Sequence, residues 1–131
     1  MKVTADTNVL LRTIVDDDAI QTTRAVALLD TADMVAVSLQ TLCEVVWVLR
    51  GQYDVTRADI AFAIRTLLST SNVVVNRPGA EAGLALLDAG GDFADGVIAY
   101  DGSWLGAETF VSFDKKAVSL LTKQGQAARL L

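Results

Sequence analysis

The chain has 131 residues, one cysteine, no histidine and a net charge of −5, and 52% of it is hydrophobic. Without histidine there is no Ser-His or Cys-His nucleophile system and no His-ligated zinc, and a single cysteine, Cys43, allows no internal disulfide. Lacking histidine, any catalyst here must work through carboxylates, and an acidic balance with a pI near 4.5 argues against a general nucleic-acid coat protein.

The length predicts one domain over residues 1–131, large enough to bury a core without staples. A mean hydropathy of +0.40 implies a sheet covered on both faces, an apolar surface meant for a partner, or both. The longest apolar runs, such as Val45-Val46-Trp47-Val48-Leu49, fall far short of the roughly 18 residues of a membrane span. Asp6 interrupts any reading of the N-terminus as a secretion leader, so a cytoplasmic protein with no membrane attachment is expected. Cys43, among apolar neighbours, reads as a small core residue.

In chain order, Val3-Thr4-Ala5 predicts a short buried strand that stops at Asp6-Thr7-Asn8, where a helix begins and runs to about Val15. Asp6 and Thr7 are both able to cap that helix. Asp16-Asp17-Asp18 reads as the capping region of a second helix, from about Ala19 to Leu29. Met34 to Val37 predicts the second strand, and a helix from about Leu39 to Tyr53 carries the apolar stripe Leu42, Val45, Val46 and Leu49. Glu44 lies inside that helix and must either face solvent or be held by a partner.

Thr56 with Asp59 fits a variant capping box for a helix to about Leu68, with Ile60, Ala61, Ile64 and Leu68 as its packed face. Val73 to Val75 predicts a third strand, Pro78 a loop after it, and Glu81 to Ala89 a further helix. Gly90-Gly91 then breaks the chain before Asp92-Phe93-Ala94-Asp95, two carboxylates at a helix start, with Asp92 as the cap and Asp95 in the first turn. Gly106 ends that helix, Thr109 to Phe113 predicts a fourth strand, and Asp114-Lys115-Lys116 opens a last helix to about Lys123. The tail from Ala128 to Leu131 adds an edge strand.

Alternating strands and helices predict an α/β fold of three α/β/α layers around a mostly parallel sheet of four or five strands. Ligands in such folds bind beyond the carboxyl ends of the strands, where Asp6 and Asp114 both fall. Clustered carboxylates repel one another unless a cation is present. An oxygen-only donor set favours a hard ion, Mg²⁺ or Mn²⁺, which polarises a water as nucleophile and offsets charge on a phosphodiester.

Asp6-Thr7-Asn8, Glu44, Asp92-Phe93-Ala94-Asp95 and Ser112-Phe113-Asp114 together resemble the PIN-domain ribonucleases over essentially the whole chain. Within them, the length and spacing look like the VapC-type toxins of bacterial toxin–antitoxin pairs. The resemblance implies an Mg²⁺- or Mn²⁺-dependent endoribonuclease, a homodimer, restrained by a cognate antitoxin protein. It implies an acidic quartet of Asp6, Glu44, Asp95 and Asp114, with Asp6 and Asp95 as metal ligands. It further implies supporting roles for Thr7, Asn8, Ser112 and Asp92, and with Asp6 given to the acidic site the cap of the first helix falls to Thr7. Gly96 and Asp101 depart from the family's helix-favouring residues, and a glycine there costs about 1 kcal/mol against alanine and loosens the helix.

For RNA, Lys115 and Lys116 beside Asp114 are the expected phosphate contacts, with Arg12 and Arg50 as weaker ones. Trp47 and Trp104 are expected either in the core or as anchors for a partner. Two other readings compete. A receiver-type Mg²⁺-binding signalling domain needs an acceptor Asp after the third strand, where Asn76 stands, and a haloacid dehalogenase-type phosphatase needs a carboxylate where Asn8 stands. A non-catalytic binding protein on the same fold is the other alternative.

Overall fold

The computed structural model describes residues 1–131. The chain divides into two compact units, residues 1–76 and residues 77–131, and each is built on parallel strand pairs.

In the first unit, β1 (Lys2–Thr4), β2 (Met34–Ala36) and β3 (Val73–Val74) form a sheet in the order β1-β2-β3. The register sets Val3 beside Val35 and Val35 beside Val73, which stacks β-branched side chains across the ladder. The strands are two or three residues long, yet the ladder continues past them: Ala5 N–H donates to Ala36 O at 3.0 Å and Val37 N–H to Val74 O at 2.9 Å. Ala5 and Val37 are therefore held in extended backbone up to the points where Asp6 and Ser38 begin the next helices.

Those helices are α1 (Thr7–Ile14), α2 (Ala19–Thr31), α3 (Leu39–Gly51) and α4 (Arg57–Leu68). Each starts on a side-chain oxygen: Asp6, Asp18, Ser38 and Thr56 accept from the backbone N–H three residues on, which satisfies one of the orphan donors of the first turn. The predicted stripe of α3, Leu42, Val45, Val46 and Leu49, is buried throughout, as are Ile60, Ala61, Ile64 and Leu68 of α4. Asn72, just before β3, donates to Leu29 O at 2.8 Å and Ala32 O at 2.9 Å, tying the end of α2 to the sheet. Cys43 is half-buried instead of enclosed in the core.

The second unit contains α5 (Arg77–Asp88), α6 (Phe93–Trp104), β4 (Phe110–Ser112), α7 (Lys115–Lys123) and β5 (Ala128–Leu130), with β4 and β5 paired in parallel. The expected tail strand thus forms, one residue shorter. The proline reading is corrected. Pro78 does not close a loop but sits inside the first turn of α5, where its missing N–H leaves no hydrogen bond unmade.

At the other end of α5, Gly91 N–H donates to Leu86 O at 2.8 Å and Gly90 N–H to Leu87 O at 3.1 Å, with Gly90 at φ +97°. This is a Schellman ending, and it turns the chain straight into α6. Phe93, 1% exposed, anchors α6 on the core with Leu86, Leu87 and Leu121. No polar or charged residue is fully buried, so every carboxylate of the chain keeps some access to water. No helix is long and apolar enough to cross a membrane. The element order, with all strand pairs parallel, is that of the expected α/β/α class.

Candidate active site

In the second unit, the start of α6 is set by how closely α5 and α6 approach. A Cβ on Gly96 would stand 2.3 Å from Ala82 O and 2.9 Å from Gly83 Cα, and one on Gly83 would stand 2.7 Å from the Phe93 ring. Only glycine fits either place. The expectation that Gly96 loosens α6 is therefore overturned: its missing side chain lets the two helices pack backbone to backbone. Asp95, the neighbour of Gly96, is held in the first turn by that contact.

Asp92 takes the N-cap position of α6, but its side chain makes no capping hydrogen bond there. Its carboxylate instead joins those of Asp95 and Asp114, with oxygens of all three within 4.8 Å of one another. Asp114 follows β4 and caps α7, its Oδ1 accepting from Lys116 N–H at 2.9 Å and Ala117 N–H at 3.2 Å. Ser112 Oγ accepts from Asp114 N–H at 2.9 Å and so fixes the bend between strand and helix. Asp92 and Asp114 are exposed, whereas Asp95 is half-buried.

Burial raises the Asp95 carboxyl above its ordinary value, and the negative charges of Asp92 and Asp114 raise it further. Three carboxylates, one of them partly desolvated, are a set of hard oxygen donors that could hold a divalent cation. Their spacing suits an ion held partly by carboxylates and partly through water.

In the first unit, Asp6 is the N-cap of α1, its Oδ1 accepting from Val9 N–H at 3.0 Å. The cap thus belongs to Asp6 and not to Thr7. Thr7 Oγ1 donates to Glu44 Oε2 at 2.7 Å, so the odd glutamate of α3 faces outward and is oriented from the start of α1. Asn8 and Asp6 border a shared cleft with Arg12 and Arg24.

The structure thus brings together Asp92, Asp95 and Asp114 in one unit, with Ser112 beside them, and Thr7 with Glu44 in the other. Of the expected phosphate contacts, Lys115 and Lys116 are exposed at the start of α7, next to Asp114. Arg12 is engaged within the fold, its Nε donating to Gln21 Oε1 at 2.7 Å and its Nη1 pairing with Asp17. Arg50 lies in the last turn of α3, where its charge complements the helix dipole. Trp47 and Trp104, at 74% and 80% exposed, are not core residues, and Phe113 beside Asp114 is 80% exposed.

Two features escaped the sequence reading. Asp17, expected from sequence in a capping run, accepts from Tyr53 Oη at 2.6 Å and pairs with Arg12. The Tyr53 bond is the main reason its carboxyl is held below the ordinary value. The sequence does not single out Arg24, although Gln21, Arg24, Ala25 and Leu28 share the i, i+3, i+4, i+7 spacing of one helix face. That signal marked a face but not what lies against it.

No curated protein matches the chain. The model of the PIN domain family matches residues 3–119, from β1 into α7 and across both units. Over this span, the chain belongs to the PIN domain family, whose fold is of the nuclease type.

Proposed function

We propose that the protein is a Mg²⁺- or Mn²⁺-dependent endoribonuclease, the toxin of a type II toxin–antitoxin pair, acting in the cytoplasm as a homodimer restrained by an antitoxin protein. One observation carries the nuclease reading: in a PIN-family chain, Asp92, Asp95 and Asp114 present oxygens within 4.8 Å of one another. An unneutralised cluster of this kind opposes folding, and a cation removes the opposition.

Asp95, Asp92 and Asp114 are the residues that would hold the ion. When bound, it supplies a polarised water and offsets charge on the scissile phosphodiester. The protein's own part is to fix the donors. Gly96 packs the start of α6, which carries Asp95, against α5, two backbone N–H groups orient Asp114, and Ser112 holds the Asp114 backbone. Asp6 and Glu44 are added to the proposal as the acids that the order of motifs along the chain picks out, with Thr7 orienting Glu44 and Asn8 beside Asp6. Lys115 and Lys116 are assigned to substrate phosphates, and the exposed Trp47, Trp104 and Phe113 suit protein or nucleic-acid partners.

The test is cleavage of single-stranded RNA with Mg²⁺ or Mn²⁺ and with chelator. Asp95→Asn and Asp6→Asn are each expected to lose at least about a hundredfold in rate. Asp95→Asn is also expected to lose the rise in Tm that the cation gives the wild type. Full cleavage by both variants would remove the mechanism. The toxin role is read separately: expression should arrest growth, and the product of an adjacent small reading frame should relieve it.

A further inference from the structure

We propose that the cleft beside Asp6 is an RNA subsite in which Arg24 binds a backbone phosphate. This rests on the nuclease reading above and adds a contact that neither the motifs nor the family match assigns. The cleft has a volume of about 440 Å³, within the range of ligand-binding cavities. Asp6, Asn8, Arg12 and Arg24 line it, and Val9 and Leu28 give it apolar surface.

The two arginines that line this cleft are in different situations. Arg12 is used by the fold, bonded to Gln21 and paired with Asp17. Arg24 is exposed on α2, and its side chain has no ion pair or hydrogen bond with any group of the chain. Carboxylates outnumber basic residues 16 to 11, so an arginine lacking one is not short of potential partners. Exposed and unpaired beside the cleft, its guanidinium fork is open to an anion from outside.

The anion that fits is a phosphodiester. A polyanion approaching Asp6 meets a negative carboxylate, and the unpaired cation of Arg24 lining the same cleft offsets that repulsion. Arginine also binds phosphate in a two-pronged fashion that lysine does not. The apolar surface of Val9 and Leu28 suits the face of a ribose or base, so charge and apolar contact are paired as a single-stranded nucleotide requires.

The test measures binding of a labelled single-stranded oligoribonucleotide to the full chain in chelator, which prevents cleavage, between about 50 and 200 mM salt. Arg24→Gln keeps most of the stem and removes the charge; Arg24→Lys keeps the charge and loses the fork. Arg24→Gln is expected to bind about tenfold more weakly, with the slope of log affinity against log salt shallower by about 0.7, the loss of one phosphate contact. Arg24→Lys should keep the wild-type slope at intermediate affinity, and with Mg²⁺ the defect of Arg24→Gln should appear in KM more than in kcat. All three proteins should melt alike, since the side chain is exposed. If wild type binds and Arg24→Gln binds with the same affinity and slope, or with lower affinity at an unchanged slope, the subsite is overturned while the nuclease reading stands. If the wild type neither binds nor cleaves RNA, the nuclease reading fails and the subsite with it.

Discussion

Gly96→Ala offers the sharpest test of how the acidic site is built. Helix propensity alone says that this change should help, since alanine is favoured over glycine by about 1 kcal/mol in a helix interior. The packing says the reverse. The new methyl would lie 2.3 Å from Ala82 O, 2.8 Å from Ala82 C and 2.9 Å from Gly83 Cα, all of them backbone atoms of α5 that no rotamer change can move. Overpacking costs about 1–3 kcal/mol where side chains can adjust, and a backbone contact belongs at or above the upper end. Net of propensity, a loss of about 2 kcal/mol is expected, or a fall in Tm of roughly 8 °C for a chain of this size. Circular dichroism melts and urea midpoints measure it. Gly51→Ala is the control, because a Cβ there meets nothing within 4 Å at the exposed end of α3, and that variant should gain up to about 1 kcal/mol. Because α6 must move off α5, Gly96→Ala should also lose part of the Tm rise that Mg²⁺ or Mn²⁺ gives the wild type. A Gly96→Ala protein that melts at or above the wild-type temperature would refute the close-packing account.

Asp95 gives a pH-dependent expectation. Its carboxyl is raised by burial and then by Asp92 and Asp114, so the native state binds that proton more tightly than the unfolded chain does. The associated stability is present below the unfolded carboxylate value and is lost as pH rises through the folded one. In chelator at neutral pH, Asp95→Asn should therefore melt above wild type, with the advantage vanishing in acid; a clear destabilisation at neutral pH would count against the clustering. At Asp6, cap and chemistry separate by choice of substitution. Asp6→Asn keeps a capping oxygen for Val9 N–H and should change stability by only a few tenths of a kcal/mol while losing RNA cleavage, whereas Asp6→Ala should cost about 1 kcal/mol. Equal stability of the two variants in denaturant titrations would show that the Asp6 cap contributes little.

Much of the chain was legible before folding because its signals are local. The apolar stripe of α3, the Thr56 cap, the glycine break before α6 and the carboxylates that follow strands all declare themselves within a few residues. Those signals, taken in order along the chain, were also enough to point to the PIN family, which the match over residues 3–119 establishes. Local signals misled where one residue type serves two ends. Pro78 looked like a loop because proline both ends helices and starts them, and Gly96 looked like a weakness because propensity scales contain no neighbouring helix.

Tertiary structure alone decided which groups meet. Asp6, Asp18 and Asp114 accept the N–H groups of their helices, while Asp92, which looked like one more cap, gives its carboxylate to the cluster with Asp95 and Asp114. Asp17 bonds Tyr53, 36 residues away, and Thr7 reaches Glu44 across 37 residues. Arg24 enters the Asp6 cleft only because α2 packs against α1. Residue types and their local spacing were thus set by the sequence by itself. Partners distant in the chain follow from helix packing, because periodicity marks a helix face without naming what it faces.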